Sequence, residues 1–297
     1  MKSHVPSPIR PLLLKLVLFT ACYMALIFPF SSYMQSKPFF EKLGYLPRVS
    51  IVQFVSADQK ELTAALLVMK VMMYYGGLME SENAKFKLPP DYPSMSRVLH
   101  TALKLDPYNM DAYYFAQATL VWDSGAYRIA NDLLVYGMKY RTWDWYLPFF
   151  AGFNSAYFLK EYDNAAKYYQ KAAELSGEPL FATLAGRYMQ KSGQTELAIA
   201  YITAMIKSAK NPSIRKSYQT RLKAFQAVHS IEMARDSYFK ATDKLPHSVE
   251  ELVRTGYLST VPVDPYGGSF YIDAEGKVST NSEFTFVKKA TPGRGGE

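Results

Sequence analysis

Few residues in this chain are able to do covalent chemistry, and their spacing does not suit it. The four histidines, His4, His100, His229 and His247, are scattered. His100 and His229 fall in helical stretches without a second ligand or base at the i, i+4 spacing a metal site needs. The single cysteine, Cys22, rules out an internal disulfide and Cys-x-x-Cys chemistry, and its apolar surroundings mark it as a small buried hydrophobe. Glu250-Glu251 sit at a helix start, where acids complement the helix dipole. Asp273 and Glu275 occupy a hairpin turn and read as turn formers rather than calcium ligands. Gly76-Gly77 read as a helix cap. There is no Gly-x-Ser-x-Gly elbow, phosphate loop or dinucleotide fingerprint. We therefore expect no catalytic residue, no metal and no cofactor. What remains is recognition without bond making, for which the chain is well supplied: 15% of its residues are aromatic. Among them, Trp143-Asp144-Trp145-Tyr146 reads either as a staple between two structural units or as an exposed contact patch.

Composition narrows the class. Of 297 residues, 49% are hydrophobic and 20% charged, which suits one or two folded domains and excludes a disordered or multi-pass membrane chain. The net charge of +8 is dispersed, with no run of five like charges, so no nucleic-acid partner is expected. Pro11 to Phe30 is a stretch of twenty residues with one charge, Lys15, long enough to cross a bilayer as a helix. Lys2, Arg10 and Lys15 place the N-terminus in the cytoplasm, although Lys37, Lys42 and Arg48 soften the contrast. Two alternatives are a signal peptide cleaved near Ser31-Ser32 and a lipoprotein processed before Cys22. The lipobox-like Leu18–Ala21 is degraded, and the apolar run continues past Cys22, so an uncleaved anchor is the expectation.

The elements that carry the aromatic residues repeat. One rung of small residues falls at Ala102, Gly137, Ala172 and, less well, Met205. Others fall at Met95, Ala130, Ala165 and Ala198, at Tyr92, Tyr127, Tyr162 and Thr195, and at Leu99, Leu134, Tyr169 and Ile202, with successive spacings of 35, 35 and 33 residues. Within a unit the rungs lie four and seven residues apart, on one helix face. Asp106-Pro107 closes one unit and Asn109 caps the next helix. The alternative is a generic helical bundle with an accidental period.

On Tyr162-x-x-Ala165-x-x-x-Tyr169-x-x-Ala172, preceded by Gly152, and Gly186…Gly193-x-x-x-x-Ala198, the chain resembles the tetratricopeptide repeat (TPR) family. Its Trp and Leu-Gly positions are poorly kept. Units are expected at 111–145, 146–178 and 179–211, with a degenerate fourth at about 58–107: a long helix from Ala57 to Met79, the loop Lys87–Pro93, and a second helix from Ser94. The resemblance implies a mainly α fold, an α-solenoid of helical hairpins. Its concave side would present Phe115, Thr119 and Trp122, then Phe150, Asn154 and Tyr157, then Thr183, Arg187 and Gln190, as a groove for an extended peptide or partner helix. Internal packing of Trp122 and Phe150 is the competing reading. Tyr127, Ala130, Ala165, Tyr169, Ala172 and Ala198 are the structural signature positions.

After Asn211 the register changes. Ser213 to Thr242 reads as one helix. Ser248 caps a short helix, with Glu251 completing a capping box, and Gly256 stops it. Phe270–Ile272 and Lys277–Ser279 read as a β-hairpin. This order, with Leu245-Pro246, Gly256-Tyr257-Leu258 and Pro262-x-Asp264-Pro265-Tyr266-Gly267, resembles the globular part of type II secretion pseudopilins and related type IV pilin-like proteins over about residues 215–282. The N-terminal apolar segment lacks that family's Gly-Phe-type processing site and following Glu, which argues against a processed filament subunit.

The expected organisation is a cytoplasmic stub and transmembrane anchor (1–34), a linker (35–56), TPR-like repeats (57–211), a long helix with a small pseudopilin-like α+β module (212–287) and a disordered tail (288–297). The expected function is a scaffold that binds protein partners, a peptide or a pilin-like subunit, in a bacterial envelope assembly related to pili or type II secretion. It would sit in the inner membrane through residues 11–30, with a single pass and its bulk in the periplasm. Alternatives are an accessory subunit or unrecognised enzyme of envelope biogenesis, or a non-canonical pseudopilus component.

Overall fold

The computed structural model describes residues 9–36, 43–80 and 89–286. The N-terminal stub before residue 9, loop residues 87 and 88 and the tail 288–297 lie outside them. The protein is mainly helical, a TPR-like solenoid of hairpins with a small C-terminal α+β module. It forms two compact units, Met1–Leu99 and His100–Glu297.

The first unit holds α1 (Ile9–Ser36), α2 (Val49–Ser56) and α3 (Lys60–Glu80), and α4 (Tyr92–Leu105) runs across its end. The stretch Lys15–Tyr33 of α1 is long and apolar enough to cross a membrane. α3 continues through Gly76 and Gly77, so this pair is not the cap expected from sequence. Neither glycine adopts a positive φ, and a helix does not end at glycines whose backbone stays right-handed.

The second unit contains three hairpins. α5 (Met110–Ala116) runs on into a π-helical segment, Gln117–Asp123, and pairs with α6 (Tyr127–Met138). α7 (Tyr146–Asn154) likewise runs into a π-helical segment, Ser155–Leu159, and pairs with α8 (Tyr162–Ser176). α9 (Pro179–Lys191) pairs with α10 (Thr195–Ser208). Sequential packing of α6 on α7, α8 on α9 and α10 on the long α11 (Pro212–Thr242) makes the stack continuous. The Asn109 side chain accepts from the Ala112 N–H and starts α5, and Asn211 does the same for Ser213 and Ile214 at α11.

The repeated rungs are the packing seam. Ala130, Ala165, Ala172, Ala198, Leu134, Tyr169 and Ile202 are all buried, and Tyr127 is half-buried. Large side chains press onto the opposite helix where its residue is glycine. A Cβ on Gly137 would lie 2.6 Å from the Tyr113 ring, one on Gly186 2.9 Å from Ile202, and one on Gly152 3.2 Å from Tyr169.

The C-terminal module packs on this stack. α12 (Val249–Arg254) starts at Ser248, whose hydroxyl accepts from the Glu251 N–H. The reciprocal bond differs from a strict capping box: the Glu251 carboxylate accepts from the His247 N–H, one residue further back. β1 (Phe270–Ile272) and β2 (Val278–Thr280) form an antiparallel hairpin with Tyr271 opposite Ser279. The buried Asp264 carboxylate holds the turn before β1, accepting from the Tyr266 N–H at 2.9 Å and from the Thr280 and Ser282 hydroxyls at 2.5 and 2.6 Å. Arg221 of α11 is buried beneath the module, donating to the Phe284 carbonyl at 2.9 Å and facing the Tyr266 ring at 5.3 Å. Burial pulls its pKa down.

The Gly137 contact gives a direct test. Tyr113 is fully buried and has no room to retreat, so Gly137→Ala costs about 1–3 kcal/mol through overpacking. Gly76→Ala, whose new Cβ meets nothing within 4 Å, leaves the melting temperature unchanged or raises it slightly. Thermal melts followed by circular dichroism in detergent compare the two.

Candidate partner-binding surface

The two π-helical segments occupy the same place in successive hairpins, at the C-terminal ends of the first helices. A π turn widens the helix and changes the direction in which the residues after it project. A closed amide network lies between these helices. Gln117 and Asn154 exchange hydrogen bonds at 3.0 and 2.8 Å, Asn154 also donates to Asn131 at 3.0 Å, and Asn131 donates to the Ser155 hydroxyl at 3.0 Å and the Ala151 carbonyl at 3.3 Å. All four side chains are buried. The network ties the first hairpin to the second and fixes their register, because a buried amide loses its partners if either helix slides.

The same two hairpins carry a cluster of rings at the surface. Tyr127 stacks on Phe158 at 4.2 Å between centroids, Phe153 stacks on Tyr157 at 5.6 Å, and Trp122 meets Phe158 edge-on at 5.5 Å and Phe153 at 6.0 Å. Trp122 and Tyr157 are each 60% exposed. Lys160, held in a left-handed turn, sits over the Tyr157 ring at 5.3 Å, and Arg128 pairs with Glu161 at 2.8 Å. The result is an apolar aromatic surface bordered by charge.

The nine groove positions expected from sequence therefore separate. Trp122 and Tyr157 come together at the surface. Phe115 and Phe150 are half-buried, and Phe150 packs against Tyr146 at 4.3 Å and Phe149 at 4.8 Å. Thr119 is buried and donates to the Phe115 carbonyl, while Asn154 is closed inside the amide network. Thr183 is half-buried and donates to the Pro179 carbonyl. Arg187 pairs with Glu283, and the buried Gln190 faces the Val278 carbonyl at 3.5 Å. The C-terminal module thus occupies the face of α9 that was expected to be open. Its contacts join residues 88 and 96 positions apart, which no repeat period reveals. Sequence reasoning missed Phe153 and Phe158. Their signal was the aromatic spacing through Phe149-Phe150, Phe153 and Tyr157-Phe158, but the π turn that brings Phe158 into the cluster has no local signature.

Trp143-Asp144-Trp145-Tyr146 both staples and exposes. Trp145 reaches Phe181 of α9 at 5.4 Å, and Tyr146 packs on Tyr114 at 4.2 Å. Trp143, 61% exposed, stacks on Tyr108 at 6.1 Å beneath Arg141, which donates to the Tyr108 carbonyl and pairs with Asp144. Burial pushes the Tyr113 phenol well above its ordinary range, and that of Tyr136 up to about 12. These rings stay neutral and act as packing and hydrogen-bonding groups.

One open cleft of about 600 Å3 gathers acids and bases, among them His229, Glu196, Glu232, Arg235 and Lys277. His229 lies 3.8 Å from Glu196 and 4.0 Å from Glu232, beyond hydrogen-bonding reach, and the Thr195 hydroxyl donates to the Glu232 carboxylate at 3.0 Å. Among the described residues no group of three His, Cys, Asp or Glu could hold a metal ion.

No protein-family model matches the chain, and no curated protein matches it. Among solved structures, MamA AMB-1, a TPR-like protein, is similar at 16% identity over 54% of this chain and 95% of its own, with a TM-score of 0.32. A likeness that distant carries no argument about function.

Two predictions follow from this geometry. Asn154→Ala strands the Gln117 and Asn131 amides and costs about 1–3 kcal/mol for each group left unpaired. Trp122→Ala removes only edge contacts and costs about 1 kcal/mol or less. Equal losses in urea melts would make Trp122 a core residue. The second concerns Glu232. Burial raises its carboxyl pKa, opposed by the Thr195 hydroxyl, so the folded chain holds that proton more tightly than the unfolded one. Its charge therefore costs stability as pH rises from the ordinary value of 4.5 through the raised one. Glu232→Gln should melt higher than the wild type near neutral pH, and the gain should vanish below pH 4.5.

Proposed function

We propose that this protein is a membrane-tethered scaffold that captures a polypeptide on the aromatic surface of its first two complete hairpins. The observation that carries the reading is the pair of exposed rings, Trp122 and Tyr157, resting on a fully satisfied buried amide network. Large apolar rings on a rigid support lose little entropy when a partner covers them, which is the usual character of a binding hot spot. Burial of their apolar area contributes about 25 cal/mol per Å2, while Arg128, Lys160 and Glu161 at the border set orientation. The apolar Lys15–Tyr33 segment supports a tether, and the cations before it favour a cytoplasmic N-terminus with the bulk in the periplasm. Confinement at the membrane raises effective concentration, so the individual contacts can be weak.

The proposed clients are pilin-like subunits of a pilus or type II secretion assembly. The motif from Gly256 to Ile272 supports this, as does its use here as a folded cap on the repeats. The C-terminal module would then be a docking head rather than a filament subunit.

The test is site-specific photo-crosslinking in cells with the full-length chain. A benzophenone amino acid at position 122 or 157 is expected to yield a discrete polypeptide adduct, identified by mass spectrometry as an envelope protein. The same probe at Lys167, on the charged outer face of α8, should yield none. Adducts of equal intensity at all three positions, or lipid adducts alone, would overturn the reading. With the partner identified, Trp122→Ala should weaken capture by about tenfold or more.

A further inference from the structure

α3 carries two apolar faces. Its inner stripe, Ala64, Val68 and Val71, is buried. Its outer face is apolar as well: Leu62, Leu66, Met69, Met72, Met73 and Met79 are each between 41% and 69% exposed. By contrast, the outward residues of α8 include Asp163, Lys167, Lys171 and Glu174. The stretch Lys60–Met79 is long and apolar enough to cross a membrane, yet most of it is not buried in the protein. A core helix would hide that surface, and a leader segment would stand at the start of the chain. α3 does neither. α2 packs on α3 and repeats the pattern, with Ile51, Phe54 and Val55 exposed at i, i+3 and i+4.

We propose that α3 lies in the plane of the membrane interface, its outer face in the acyl boundary, as a second membrane contact separate from α1. Two observations choose the bilayer as occupant and the in-plane orientation. First, only residues 34–48 separate the apolar stretch Lys15–Tyr33 from α2, and 15 residues reach at most about 50 Å when fully extended. The apolar faces of α2 and α3 are therefore confined near any bilayer that α1 crosses. Second, Lys70 is the only charge on the outer side between Glu61 and Met79, and it stands at the middle of the helix. In a spanning helix it would sit at the bilayer centre, where an ammonium is costly to bury. Thr63, Lys70 and Tyr74 fall in one row, seven and four residues apart, along the edge of the apolar face. In an in-plane helix that edge meets the headgroups, and the Lys70 ammonium reaches water along its own methylenes. The inner stripe stays on the protein.

The test uses the full chain in vesicles of phosphatidylethanolamine and phosphatidylglycerol. Cys22→Ser leaves no native thiol, so single cysteines at Leu66, Met69, Met73 and Lys167 carry spin labels one at a time. Power saturation against oxygen and a water-soluble nickel chelate reads depth. The labels at 66, 69 and 73 should share one depth, about 5–10 Å below the headgroups, and be shielded from nickel several-fold better than the label at 167. Depths that change steadily along the helix would mean that α3 spans. Nickel access equal to that at 167 would leave the face in water. Shielding from both reagents, with dipolar coupling between copies, would mean that a second chain covers it. Each of these three results overturns the proposal.

Discussion

The repeat region rests on close approach between helices whose contact residues are too small to hold them apart. A single hairpin here cannot bury its own apolar face; stacking the pairs can, provided the backbones come near enough for Leu134, Tyr169 and Ile202 to reach across. Gly137, Gly152 and Gly186 let the two helices within each hairpin close up, each at a place where a methyl group would meet a side chain of the paired helix. Because each hairpin leans on the next, the stack transmits position: α9 is placed by α8, α11 by α10, and the C-terminal module by α9 and α11.

That constraint explains why the polar groups are where they are. Gln117, Asn131, Asn154 and Ser155 lie between tightly packed helices, where an unpaired amide would be costly, and together they satisfy one another. The two π turns beside them redirect Trp122, Tyr157 and Phe158 into a ring cluster that no regular helix would assemble. The exposed rings and the buried amide network thus lie on the same two hairpins. At the other end of the stack, Arg187 and Gln190 serve the attachment of the C-terminal module, so the repeats offer one open aromatic face where a continuous groove was expected.

The first unit follows different physics. α1 and α3 both expose apolar surface along their described residues, and Lys70 at the middle of α3 is what would make crossing a bilayer costly for that helix.

Much of the architecture was legible in the amino-acid order because it depends on local periodicity. The rungs at Ala130, Ala165 and Ala198 mark the buried faces of α6, α8 and α10, Asn109 and Ser248 mark helix starts, and the Phe270–Thr280 hairpin follows from alternation and turn residues. These signals act over a few residues, where backbone geometry alone decides which side chains share a face. Tertiary structure alone decided what each face meets. Asn154 and Tyr157 are three residues apart on one helix, yet one is sealed in a network with Gln117, 37 positions away, and the other stands in solvent. Arg187 looked like a groove residue until Glu283 arrived beside it from the far end of the chain. Periodicity names the sides of a helix, but the partner of each side is set by packing between segments distant in sequence, and no local pattern encodes that choice.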